Sequence, residues 1–292
     1  MTNTQDVKAS QKLAQWWLLA FGVPVLFVGL SLLGNVVRRL WGAPSYNYDS
    51  ETAQMLISGL PWGLVILVVL VVVARWSRMR VQGPQICWPK EVFLAVGAYL
   101  VMGILTFVVT RRGGGTWEFS TLAWLAAACF VVGFNEELTY RALSLGGFAR
   151  KLPVFWAVAA AAVIFGLSHT VNLFSGSEPS LVARQVLYTT ASGLFFGWLY
   201  VFSGRNLWLL IAIHAIHNFL VISPSTTGAV PLVGEGLDSM MNWSLGTVQG
   251  FVSAGLPILF TSWAWTKYRG MTLEQALGLS QGSALSEPMA HP

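Results

Sequence analysis

The sequence predicts an all-α polytopic membrane protein of about eight transmembrane helices, and three observations predict it. Hydrophobic residues make up 55% of the 292 residues and charged residues only 10%, with a mean hydropathy of +0.62. That composition belongs to proteins dissolved in lipid. Apolar runs near the length of about 20 residues that spans a bilayer core recur along the whole chain. The linkers between them are short and rich in turn residues, as in RRGGG at 111–115, SGSEPS at 175–180 and SGRN at 203–206.

Taken in order, the first span is 13–34. It follows Lys8 and Lys12, but its apolar run is too long for a cleaved signal peptide, so it reads as a retained helix. The second and third spans are 54–74 and 92–110. The fourth, 120–145, carries FNEELTYR at 134–141, two adjacent carboxylates and an arginine between apolar flanks. The fifth, 153–171, holds FGLSH at 165–169. The sixth, 186–203, presents Gly193 and Gly197 four apart, a small-residue face that permits close helix approach. The seventh, 206–223, contains WLLIAIHAIHNFL, and the eighth is 246–266. The 223–245 loop is polar and Gly-rich and holds no recognisable motif. In the tail, 267–292, Thr272 and Gln275 fit a helix capping box and predict one short cytoplasmic helical turn. The whole chain, 1–292, reads as a single membrane domain.

Orientation follows from the positive charges near the spans. With both termini in the cytoplasm, the inside segments hold Lys8, Lys12, Arg75, Arg78, Arg80, Lys90, Arg150, Lys151, Arg205, Lys267 and Arg269. The outside segments hold Arg38, Arg39, Arg111, Arg112 and Arg184, so the bias is eleven to five, with Arg141 counted as intramembrane. The expected location is the cell membrane with both termini cytoplasmic. The formal charge of +5 is thereby a topology signal and not a nucleic-acid footprint. Cys87 and Cys129 fall in a loop and a span and suggest neither a disulfide nor a metal cluster.

Titratable side chains within the spans are few: Glu136, Glu137, Arg141, His169, His214 and His217. A charge at mid-bilayer costs about 2.5–3.5 kcal/mol on insertion scales, so such groups face the bundle interior and take partners. Glu137 and Arg141 are four apart on one helix face, which predicts a structural ion pair. Glu136 points about 100° away around an α-helix and is left over. His169 and His214 taken singly read as packing or anchoring residues, and His214 with Asn218 on one face reads as an interhelical hydrogen-bonding pair. Helical rise, however, puts Glu136, His169, His214 and Asn218 at depths of about 12–24 Å from the cytoplasmic ends, so ordinary tilt lets them converge. A carboxylate, two imidazoles and a carboxamide in a partly dry pocket form a hydrolytic set. The carboxylate takes a proton from water, and imidazole and amide donors stabilise an oxyanion.

At these residues the chain resembles a known family. EELTYR at 136–141 matches an EExxxR motif, FGLSH at 165–169 an FxxxH motif, and HAIHN at 214–218 an HxxxN motif, in that order. These are the motifs of the CPBP (CAAX protease and bacteriocin-processing, or Abi) intramembrane endopeptidases, which include the type II CAAX prenyl endopeptidases. The resemblance covers roughly 116–223 and implies a catalytic core on helices four, five and seven. It further implies that Glu136 activates the attacking water and His169 assists, that His214 and Asn218 form the oxyanion hole, and that Glu137 and Arg141 support them. His217 matches no required position and reads as a packing residue or weak outer partner.

The family is often labelled metalloprotease, and Glu136, His169 and His214 would make a His₂Glu zinc set with one open position. No HExxH is present and Glu137 is engaged by Arg141, so the sequence favours a metal-free glutamate mechanism, with zinc as the alternative. The expected substrate is a membrane-associated or lipid-bearing protein, or a bacteriocin-like peptide precursor, met in the lipid bilayer. Two other classes make different demands on the sequence. A non-catalytic membrane scaffold or regulator of the same fold would be free to lose Glu136, His169, His214 or Asn218. A proton-coupled transporter would show inverted repeats and paired Gly/Pro interruptions, which the sequence lacks.

Overall fold

Helix is the one regular structure among the described residues, as expected of an apolar chain that must satisfy its own backbone in lipid. The computed structural model describes residues 16–40, 48–83, 90–110, 119–175, 177–222, 255 and 257–278. In chain order the helices are α1 (Leu18–Leu40), α2 (Tyr48–Ser77), α3 (Lys90–Thr110), α4 (Phe119–Phe148), α5 (Val154–Ser168), α6 (Pro179–Phe202), α7 (Leu207–Ile222), α8 (257–268) and a short α9 (273–278). A 3₁₀ turn, His169–Ser175, continues α5. Helices α1 and α4, α2 from Leu56 onward, and α5 through Phe174 are each long and apolar enough to cross a membrane, and α3 and α7 contribute shorter apolar stretches. The protein is an all-α polytopic integral membrane protein. Cys87, the 111–115 linker, the 223–245 loop, residues 246–254 of the eighth expected span and everything beyond Gly278 lie outside the described residues.

The bundle is organised around α4, which packs against α2 on one side and α7 on the other, while α5 runs along α6. Gly193 and Gly197 sit where their sequence spacing placed them, on the close approach of α6 to α5. A Cβ at Gly193 would lie 2.9 Å from the Ala162 Cα, and one at Gly197 would lie 2.8 Å from a Val158 methyl. Any larger residue forces these helices apart.

Two helices widen locally. In α1 the segment Leu18–Gly22 is a π turn just before Pro24. Proline has no N–H for the Ala20 carbonyl one turn earlier, and the Ser144 hydroxyl of α4 donates to that carbonyl at 2.7 Å. The second widening is longer: α4 is α-helical to Glu136, π-helical over Glu137–Leu145 and α-helical again over Gly146–Phe148. All nine π residues are buried. At the end of the chain the expected capping box forms in both directions. The Thr272 N–H donates to Gln275 Oε1 at 2.9 Å, and the Gln275 N–H donates to Thr272 Oγ1 at 3.2 Å.

Candidate functional site

The glutamates stand at the junction where α4 changes from α to π geometry. Glu137 is wholly buried and forms the expected ion pair with Arg141, Oε2 to Nε 3.2 Å. Its second oxygen, Oε1, lies 2.6 Å from His214 Nδ1 on α7. A carboxylate only accepts, so this contact places a proton on Nδ1. Glu136 Oε2 lies 3.5 Å from the opposite ring nitrogen, Nε2, beyond the usual N–H···O range of about 2.7–3.2 Å. The two neighbouring carboxylates therefore meet one imidazole from its two ends. Consecutive residues of a regular α-helix point about 100° apart, and here both carboxylates reach His214 where α7 packs against α4.

The imidazole is held as firmly by its faces. Phe196 of α6 stacks on His214 with ring centroids 5.2 Å apart and planes 28° from parallel. The Arg141 guanidinium lies over the Phe165 ring at 4.2 Å and the Phe196 ring at 5.3 Å, where a desolvated cation–π contact is worth about 2 kcal/mol. Glu137, Arg141, His214, Phe165 and Phe196 form one interlocked group spanning α4, α5, α6 and α7.

His169 closes α5 and opens the 3₁₀ turn. Its Nδ1 is 3.0 Å from the Phe165 carbonyl oxygen, which fixes the proton on Nδ1 and leaves Nε2 as the nitrogen able to accept. Phe165 meets the same ring edge to face at 5.0 Å. The phenylalanine of FGLSH thus serves twice, anchoring His169 through its carbonyl and Arg141 through its ring.

Glu136, His169, His214 and Asn218 all line a single cavity of about 650 Å³. Glu136 is 15% exposed and His214 9%, whereas Glu137 is closed off completely. Glu137 and Arg141 lie behind the wall. His217 also borders the cavity, with its ring 4.6 Å from that of Tyr99, so it is both a packing residue and part of the lining. Sequence reasoning missed Asn135, Phe196 and Tyr99. Asn135 donates through Nδ2 to the Gly63 carbonyl at 2.9 Å and ties α4 to α2 beside Glu136. Its position next to the glutamates was the signal for it; nothing in the sequence of α6 distinguishes Phe196 from the neighbouring aromatic residues.

The zinc alternative would draw its ligands from Glu136, His169 and His214. Glu136 Oε2 and His214 Nε2 lie 3.5 Å apart, with Glu137 at the far nitrogen of the same ring. Among the described residues no three His, Cys, Asp or Glu side chains are grouped to hold a metal ion.

Residues 117–220 match the model of a protein family described as Rce1-like, type II CAAX prenyl endopeptidase. That range runs from the start of α4 to near the end of α7 and contains every residue of the cluster. No curated protein matches the chain.

Proposed function

We propose that the chain, an integral membrane protein whose residues 117–220 match the Rce1-like type II CAAX prenyl endopeptidase family, is an endopeptidase acting on a membrane-associated or lipid-bearing protein or peptide precursor. One observation carries this reading: Glu136, His169, His214 and Asn218, from three helices, border the same cavity.

In the proposed reaction Glu136 takes a proton from water as the water oxygen attacks the scissile carbonyl, forming a tetrahedral oxyanion. Its carboxylate is the one that reaches the cavity. His169, with Nδ1 committed to a backbone carbonyl, keeps Nε2 free to accept from the water and orient it. The oxyanion is stabilised by the Asn218 amide and by His214 in its doubly protonated form, whose Nε2–H donates to it while Glu137 holds Nδ1–H. The oriented imidazole has the logic of a carboxylate-supported histidine in a hydrolase triad. The proton on Glu136 then passes to the leaving amine as the C–N bond breaks. Arg141 balances the charge of Glu137 behind the cavity wall. No step needs a metal, and zinc-assisted hydrolysis is the alternative to be tested.

The test is comparative membrane proteomics of cells carrying the wild-type chain or Glu136→Gln. Uncleaved precursors should accumulate in the variant, and the purified wild-type protein should cleave them while the variant does not. Identical proteomes, with no cleavage of membrane-anchored peptide libraries by the purified protein, would support a scaffold instead.

A further inference from the structure

The cavity is one-sided. Its lining comes from the second half of α1 (27–38), the first half of α2 (56–66), Tyr99 of α3, the middle of α4 (128–136), the end of α5 and its 3₁₀ turn (165–172), the first two thirds of α6 (184–196) and the second half of α7 (214–222). Chain direction puts all of these toward one membrane face, the face where α1, α5 and α7 end and α2, α4 and α6 begin. The lining omits α2 beyond Ile66, α4 beyond Glu136, α5 before Phe165, α6 beyond Phe196 and α7 before His214.

Those omitted parts form a floor. Residues 137–148 of α4 are buried, and Trp198, Leu199, Tyr200, Val201 and Phe202 of α6 are each at most 3% exposed. The loops beneath are tied to the floor by hydrogen bonds. The Tyr200 hydroxyl donates to the Val81 carbonyl at 2.7 Å, the Leu207 N–H to Gln82 Oε1 at 2.8 Å and the Gly83 N–H to the Arg205 carbonyl at 3.0 Å. A Cβ at Gly83 would fall onto the Gly204 carbonyl oxygen, so these two loops touch backbone to backbone. From this side no peptide reaches Glu136 without unpacking the core. From the other side the path runs along the lining, about 12 Å of helix rise from Ile222 down to His214.

We infer that substrate reaches the cavity from the membrane face opposite Lys151 and the capped helix α9. The closed face carries Arg75, Arg78, Arg80, Arg150, Lys151, Arg205, Lys267 and Arg269, which the charge rule assigns to the cytoplasm. The partner that fits is a membrane-attached peptide segment already delivered to the external face. A lipid-bearing protein confined to the cytoplasm would meet the floor. The inference rests on the peptidase reading for the nature of the substrate, and its geometry is tested without reference to activity.

The experiment is thiol accessibility in the full-length protein with Cys129→Ala and Cys87→Ser. Ser31→Cys and Thr189→Cys place thiols on the cavity wall, at hydroxyls that bond only within their own helices. Lys151→Cys marks the closed face, where that residue is exposed. A charged, membrane-impermeant methanethiosulfonate should modify both wall thiols in intact cells at least tenfold faster than Lys151→Cys, and the order should reverse in inverted vesicles. Wall thiols that react from the same side as Lys151→Cys, or from neither side, would overturn the one-sided path. Rapid modification of Lys151→Cys in intact cells would overturn the external assignment. Because the readout is labelling, an inactive protein with the expected pattern would count against the peptidase reading alone.

Discussion

The two parts of α4 differ in almost every respect. Up to Glu136 the helix is regular and lends one side to the cavity; from Glu137 it widens into a π segment whose nine residues are all buried. The boundary falls between two identical residues, and identical chemistry is divided by it. Glu136 keeps a carboxylate in the cavity, whereas Glu137 spends both oxygens on Arg141 and His214. A carboxylate that must exchange protons needs access to water, and one that must orient an imidazole needs exclusion of it. The helix supplies both settings at consecutive positions by changing its pitch, and π segments inside α-helices frequently mark functional sites.

The comparison is most open to attack at Glu136. Glu136→Gln should lower turnover by about 10²–10⁴-fold, the usual contribution of a positioned general base. Its thermal unfolding in detergent should be unchanged, because the side chain borders space and carries no tight contact. Glu137→Ala should behave in the opposite way. It leaves Arg141 without its carboxylate in a buried site and releases His214, and breaking a buried pair costs about 3–5 kcal/mol. Denaturant or thermal unfolding should show that loss, together with lower abundance in membranes. Equal effects of the two substitutions on stability would dissolve the distinction.

A somewhat smaller effect is expected on the cavity side of α7. Asn218→Ala should lower kcat by about 10²–10³-fold with KM little changed, as loss of one oxyanion donor does. A loss felt only in KM would place Asn218 in substrate binding. Smaller again is the effect of Ser144→Ala, which leaves the buried Ala20 carbonyl without its hydroxyl partner. The cost should be about 1–3 kcal/mol in unfolding free energy, with turnover per folded molecule unaffected.

Much of this was legible in the sequence. Apolar length gave the helices, because lipid leaves the backbone few alternatives. The i,i+4 spacing gave the Glu137–Arg141 pair, the glycine spacing gave a close-approach face on α6 without naming α5 as its partner, and Thr272 with Gln275 gave the capped α9. Helical depth brought Glu136, His169, His214 and Asn218 to comparable levels, and they border one cavity. The angular argument held for Arg141, which pairs with Glu137 and leaves Glu136 over. It did not show that both carboxylates meet His214 or that the chain is π-helical over Glu137–Leu145, and no residue in ELTYRALSL announces that widening. The stacking of Phe196 on His214 was hidden for a different reason: α6 contains several aromatic residues, and only packing selects the one that meets the imidazole.

The central proposal, hydrolysis by a carboxylate-activated water without a metal, is tested most directly by the metal content of active, detergent-purified protein. Elemental analysis should be paired with turnover on the same sample and repeated for His169→Ala and His214→Ala. Fully active protein is predicted to carry far less than one zinc per chain, with no change in either variant. One zinc per chain, lost on replacing either histidine together with activity, would contradict the proposal and make Glu136 a ligand.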